Sequence, residues 1–246
     1  MLKRTPGTPP PILPTKAVDR PLWSIMIPVY NCGRFLPQAL NSVLIQFQHN
    51  EQVQIEVVDD ASTDLDVQSL VSEIGGGRIG YYRQPHNVGS LRNFETCINR
   101  STGKYIHLLH GDDYLSPGFY AEVERLFEQF PEAGSLCTGF TQVTECGKFI
   151  CNSTIQLSEP GIIENWLEQI ACNQKLQPPA VVVKREVYEE LGSFFAVHYG
   201  EDWLMWVRIA AAYPVVHSPK KLAHYRVHDS NISSDALINI TNTNRH

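Results

Sequence analysis

The sequence predicts an α/β fold built on a doubly wound, mostly parallel sheet. Short apolar runs alternate with amphipathic segments, two of those runs end abruptly in paired carboxylates, and 246 residues with 43% hydrophobic content suffice for one full core. Ligands of such sheets bind beyond the carboxyl ends of the strands, so two acidic strand ends point to one crevice.

Taken in order, residues 1–21 carry Pro6, Pro9, Pro10, Pro11, Pro14 and Pro21. So much proline denies the backbone donors a helix or sheet needs and predicts a disordered, extended arm. The first strand is Trp23–Val29. A turn through Tyr30 and Gly33 leads into a helix with Leu36, Leu40, Val43, Leu44 and Phe47 on one face and Pro37 in its tolerant first turn. A second strand at 53–58 ends in Asp59 and Asp60, and a third covers 79–83. A helix over 90–99 precedes a fourth strand at 105–109, which ends in His110-Gly111-Asp112-Asp113. Beyond a helix at 117–130, two strands at 135–143 and 148–155 join through a turn at 145–147. Helices near 162–171, 185–191 and 201–212, a strand at 180–183 and apolar pieces at 215–217 and 222–227 form a smaller, mixed portion. A polar tail occupies 234–246.

A net charge of −6 and the absence of a basic run exclude a nucleic-acid polyanion as the main partner. Six scattered cysteines without a Cys-x-x-Cys pair indicate free thiols in a reducing compartment. With no signal-like stretch and no transmembrane segment of about 20 apolar residues, a cytoplasmic protein is expected, with peripheral membrane contact left open.

Three acidic sites carry the chemistry. Asp112 and Asp113 repel each other in a closed site unless a cation lies between them and the substrate, and hard oxygen ligands suit Mn²⁺ or Mg²⁺; the bland alternative is a solvated turn capping the next helix. Asp60, of the second strand end, can accept a hydrogen bond from the N–H of a nucleotide base, or can simply close an Asx turn. Glu201 and Asp202 open a helix at its positive dipole end, where a base stays ionised or a helix is merely capped. His217, His224 and His228 have spacings foreign to zinc motifs.

The segments IPVYN (27–31), VVDDASTD (57–64), NVGSLRNFETCINRSTGKYIHLLHGDDYLSP (87–117) and GEDWLMWVR (200–208), in this order, resemble the family 2 glycosyltransferases. The resemblance implies a GT-A type fold spanning 22–233, with a Rossmann-like nucleotide-sugar-binding half at 22–117 and an acceptor-binding half at 118–233. It implies a non-processive, inverting enzyme that takes a nucleotide-sugar donor, UDP-linked by family habit, and a saccharide or lipid-linked saccharide acceptor in glycan or surface-polysaccharide assembly. Position by position, Pro28, Tyr30 and Asp60 would cradle the donor base, Arg92 and Asn93 would line the donor cleft, and Asp112 would ligate the metal with Asp113 beside it. Asp202 would be the general base, and Glu201 would position it or touch the acceptor. In the segment Tyr225-Arg226-Val227-His228, His228 would contact metal or phosphate. Trp203 can stack on an acceptor sugar, whereas Trp206 is expected in the core.

This chain departs from the family pattern at His110, which stands where most relatives carry the first Asp of their acidic signature. A neutral imidazole can hydrogen-bond the ribose or a water of the metal shell, with weaker metal affinity. The alternative is a catalytically weakened nucleotide-sugar or glycan-binding module. A nucleotidyltransferase is disfavoured by the lack of a glycine-rich, lysine-bearing loop after the first strand.

Overall fold

The computed structural model describes residues 3–16, 18–47, 53–154 and 157–228. The polar tail at 234–246, and the domain's last residues at 229–233, lie outside the described residues.

The strands β1 (Trp23–Val29), β2 (Val53–Asp59), β3 (Gly80–Arg83), β4 (Tyr105–Leu108), β5 (Tyr114–Leu115), β6 (Ser135–Thr144), β9 (Val181–Lys184) and β10 (Val215–Val227) form one sheet in the order β3-β2-β1-β4-β9-β6-β10-β5. Two short strands, β7 (Phe149–Asn152) and β8 (Gly161–Ile162), pair with β6 and β10. β1 sits between β2 and β4, parallel to both, and every residue of it is buried, which explains its apolar run from Ile25 to Val29. Its side chains alternate between the two layers: Trp23, Ile25, Ile27 and Val29 enter one core, and Met26 the other. Helices α1 (Leu36–Leu44), α2 (Val67–Gly75) and α4 (Phe119–Gln129) cover the first face. Helices α3 (Ser90–Arg100), α5 (Trp166–Cys172), α6 (Arg185–Leu191) and α7 (Glu201–Ala212) cover the second.

Several expectations need correction. β9 runs antiparallel to both neighbours, β4 and β6, because hydrophobic pattern encodes burial and not direction. The two last apolar pieces are one strand, β10, whose pairing with β6 shifts register between Ser218 and Ala223. Helix α5 starts at Trp166, since Ile162 belongs to β8. Over residues 3–16 the proline-rich arm, expected to be disordered, follows a defined path. It lies as an extended strap across the second helical layer, with Ile12 only 3% exposed. Its carbonyls take the place of a sheet partner: Pro6 accepts from Ala196 N, Pro10 from Ser193 N and Leu13 from the Arg185 guanidinium, each at 2.8 Å. Proline removes donors but leaves acceptors, and the strap is held almost wholly through them.

Candidate active site at the carboxyl edge of the sheet

The registers Val29 opposite Asp59 and Met26 opposite Leu108 bring the carboxyl ends of β1, β2 and β4 to one edge. Hydrogen bonding continues past the strands, from Asp60 N to Val29 O (2.8 Å) and from Gly111 N to Pro28 O (3.2 Å). Tyr30, Asp60 and the 110–113 turn therefore leave the sheet together, with Pro28 buried and Tyr30 exposed. Gly111 is required by close approach: a Cβ there would stand 2.9 Å from both Cys32 Sγ and Val29 Cγ2.

At the end of β2, both carboxylates are committed to the fold. Asp59 accepts from Ser62 N and Tyr81 Oη, each at 2.8 Å, and pairs with Arg83. Asp60, 2% exposed, accepts from Val88 N (2.7 Å), Gly89 N (2.9 Å) and Asn87 Nδ2 (2.9 Å), and so fixes the loop that starts α3. Burial pushes the Asp60 carboxyl up, with those backbone N–H groups opposing. Arg92 and Asn93, expected in the donor cleft, have partners within the fold. Arg92 donates to Lys3 O of the strap and pairs with Glu95 (2.6 Å), while the buried Asn93 donates to Val58 O and accepts from Gln84. They brace α3 against the strap and against β2.

At the end of β4 the situation differs. Ligand atoms of His110, Asp112 and Asp113 lie within 4.8 Å of one another, the single such group among the described residues. Asp113 is 1% exposed; its Oδ1 accepts from Arg226 N (2.8 Å), but its Oδ2 has no partner. Burial and the charge of Asp112 push the Asp113 carboxyl well up, against the opposing Arg226. Burial also pushes Asp112 up, but the hydrogen bond with His228 Nε2 (3.0 Å) and the nearby imidazoles bring it below the usual range. Burial keeps His110 neutral against the pull of Asp112, and its ring stacks on Phe94 of α3 at 5.2 Å. These residues fit a divalent cation: two carboxylates and an imidazole converge, and a buried oxygen is left without a donor. Arg226, which the sequence did not single out, ties the site together. Its Nε donates to Asp112 O (2.8 Å) and its guanidinium lies 4.7 Å over Phe35. The signal was its place beside His228 in the same short segment.

The third acidic site opens α7. Gly200 adopts φ +78°, turning the chain so that Glu201 and Asp202 fall in the first turn. Asp202 accepts from its neighbour Trp203 N (2.8 Å) and from Gln174 Nε2 (2.9 Å). Burial nonetheless raises Asp202 to about 6 and Glu201 to about 7; for Glu201 the charge of Asp202 adds to it, and the Ser90 hydroxyl, short of a full hydrogen bond, opposes. The first turn of α3 links all three sites: Asp60 holds Gly89, Ser90 neighbours Glu201, and Phe94 stacks on His110 while touching Phe194, which packs on Trp206 of α7. Trp206 is core as expected. Trp203, expected as a sugar platform, is partly buried: its Nε1 donates to Ile170 O and its ring packs against the second core.

A family model described as glycosyl transferase family 2 matches residues 24–190. An uncharacterised glycosyltransferase of Rickettsia felis is 29% identical over 229 residues, covering 89% of this chain and 36% of that protein. One from Mycoplasma pneumoniae is 34% identical over 108 residues, covering 43% of this chain and 36% of its own. The chain thus spans about a third of the length of these relatives. Among solved structures, residues 1–349 of S. aureus TarS in complex with UDP superpose with a TM-score of 0.69 at 18% identity, covering 84% of this chain and 61% of that one. The same protein in complex with UDP-GlcNAc gives 0.69 over 85% of this chain and 59% of that one. This likeness confirms the GT-A type α/β fold with its mostly parallel sheet.

Proposed function

Because the chain belongs to glycosyl transferase family 2, we propose that it is a metal-dependent, inverting, single-transfer enzyme. It moves a sugar from a nucleotide diphosphate donor, UDP-linked, onto the hydroxyl of a saccharide or lipid-linked saccharide in glycan or surface-polysaccharide assembly at the cytoplasmic face of a membrane. The observation that carries the reading is the pairing of the His110, Asp112 and Asp113 cluster with the raised carboxyl of Asp202 across the first turn of α3. The UDP and UDP-GlcNAc complexes of TarS support a nucleotide-sugar donor.

Asp202 accepts the proton of the acceptor hydroxyl as that oxygen attacks the anomeric carbon from the face opposite the leaving group. The new C–O bond forms as the bond to the diphosphate breaks, its electron pair leaves with the nucleotide, and configuration inverts. Glu201 orients the acceptor beside Asp202. Pro28 and Tyr30 frame the base, and Asp60 acts by fixing the 87–89 loop around it. Asp112 and Asp113, with His110 and His228 beside them, would hold Mn²⁺ or Mg²⁺, which when bound would supply positive charge to the diphosphate.

Two observations favour a second reading, a donor-binding module without turnover: His228 already occupies Asp112 Oδ2, and His110 brings no charge. A thermal-shift and calorimetric screen decides. UDP is expected to raise the melting temperature only with Mn²⁺ or Mg²⁺, and Asp113→Ala is expected to weaken that metal-dependent binding by about tenfold or more. Nucleotide binding indifferent to the ion would remove the metal role. Release of UDP from a UDP-sugar separates enzyme from module.

A further inference from the structure

Beyond the donor side, a second cleft of about 370 Å³ lies between the far end of the β6–β7 hairpin and the loop that follows α5. Its lining is chemically unusual. Five residues with carboxamide side chains, Gln142, Asn152, Asn173, Gln174 and Gln177, line it with Ser153 and Thr154; the Asn152 side-chain carbonyl accepts from Thr141 at 3.1 Å, and among the described residues Lys175 is the sole charged lining residue. Among the described residues no carboxylate lines it. One wall is tied to the chemistry: the Nε2 of Gln174 donates to Asp202 Oδ2 at 2.9 Å, so the side chain of a lining residue separates the cleft from the carboxylate assigned as base.

We propose that this cleft is the acceptor site and that it takes an electrically neutral oligosaccharide; the proposal rests on the glycosyl-transfer reading above. Each carboxamide carries two N–H donors and one carbonyl acceptor, which matches vicinal sugar hydroxyls that must both give and take hydrogen bonds. A neutral lining meets a neutral glycan without stripping water from a charge, whereas an anionic chain would leave all but one of its charges without a partner. Gln174 is then a positioning residue. It orients Asp202 from the acceptor side, and the glycan that settles against it presents a hydroxyl to the free face of that carboxylate.

Saturation-transfer NMR on the full chain tests this with chitotriose, mannotriose and maltotriose as neutral probes, and trigalacturonate and an oligomeric glycerol phosphate as anionic ones. At least one neutral trisaccharide is expected to receive saturation. The Gln142→Ala/Gln177→Ala double variant is expected to lose about tenfold or more in affinity for it, as for one or two hydrogen bonds removed, while UDP binding with Mn²⁺ is unchanged and certifies the fold. Binding of the anionic probes alone, no binding of any neutral probe, or neutral binding that survives the double variant overturns the proposal. The nucleotide arm reads the transfer hypothesis separately: absent UDP binding with saccharide binding retained overturns transfer and leaves the cleft a glycan site, and the reverse overturns the cleft. In Gln174→Ala, a positioning role predicts a displaced acidic limb of the pH–rate profile with little change in donor KM; an unmoved limb contradicts it.

Discussion

The carboxylates at the end of β2 and those at the end of β4 and the start of α7 are alike in residue type and in place along the sheet edge, yet the fold has treated them differently. Asp59 and Asp60 have their oxygens occupied by backbone N–H groups, a tyrosine, an asparagine and an arginine. Asp113 keeps a buried oxygen with no donor, and Glu201 and Asp202 are held well above the usual carboxylate range by burial. The difference teaches where chemistry is placed. A committed carboxylate builds the edge of the crevice, and one left with unmet demand awaits a cation or a proton.

The sharpest way to break this contrast is at Asp60. Asp60→Ala strands Val88 N, Gly89 N and Asn87 Nδ2 at a buried loop, and a loss of about 3 kcal/mol in urea-unfolding stability is expected; a loss below about 1 kcal/mol would mean that other contacts hold the loop. A pH–rate profile comes next. With Asp202 at about 6 and needed as its carboxylate, kcat/KM is expected to fall about tenfold per pH unit below that point. A profile flat from about 5 to 7 would take the proton acceptor elsewhere. The smallest effect is one of stability. The folded state raises Glu201 above its ordinary value to about 7, so its contribution is whole below the ordinary carboxylate range and is lost as pH rises through about 7. Glu201→Gln should therefore raise the melting temperature by a few degrees near pH 8, with the gain vanishing by about pH 4. An equal gain at both pH values would show that the ionised group is not the cause.

Much of this was legible in the chain. β1 announces itself because a strand buried on both faces is largely apolar, and β2 and β4 run into carboxylates, so Asp60 and Asp112 could be placed at one edge before any coordinates. What was not legible depends on partners far away in sequence. Nothing in the letters Tyr-Arg-Val-His says that Arg226 reaches Asp112 O, and nothing around Gln174 says that it meets Asp202. The partners of Arg92 and Asn93 were hidden for the same reason: they are the strap and β2, and helical spacing does not reveal which face of α3 meets them. The strap itself escaped notice because proline content predicts what backbone cannot form and says nothing of the docking that Ile12 and a row of carbonyls achieve.

The base role of Asp202 is reached most directly by one comparison, Asp202→Asn against the unaltered protein, with UDP affinity and sugar turnover measured on the same preparations in Mn²⁺. UDP affinity is expected to stay within about twofold while turnover of the preferred UDP-sugar falls by about a hundredfold to ten-thousandfold, the range for removing a general base. Turnover retained within about tenfold, or nucleotide binding lost along with it, would contradict the assignment.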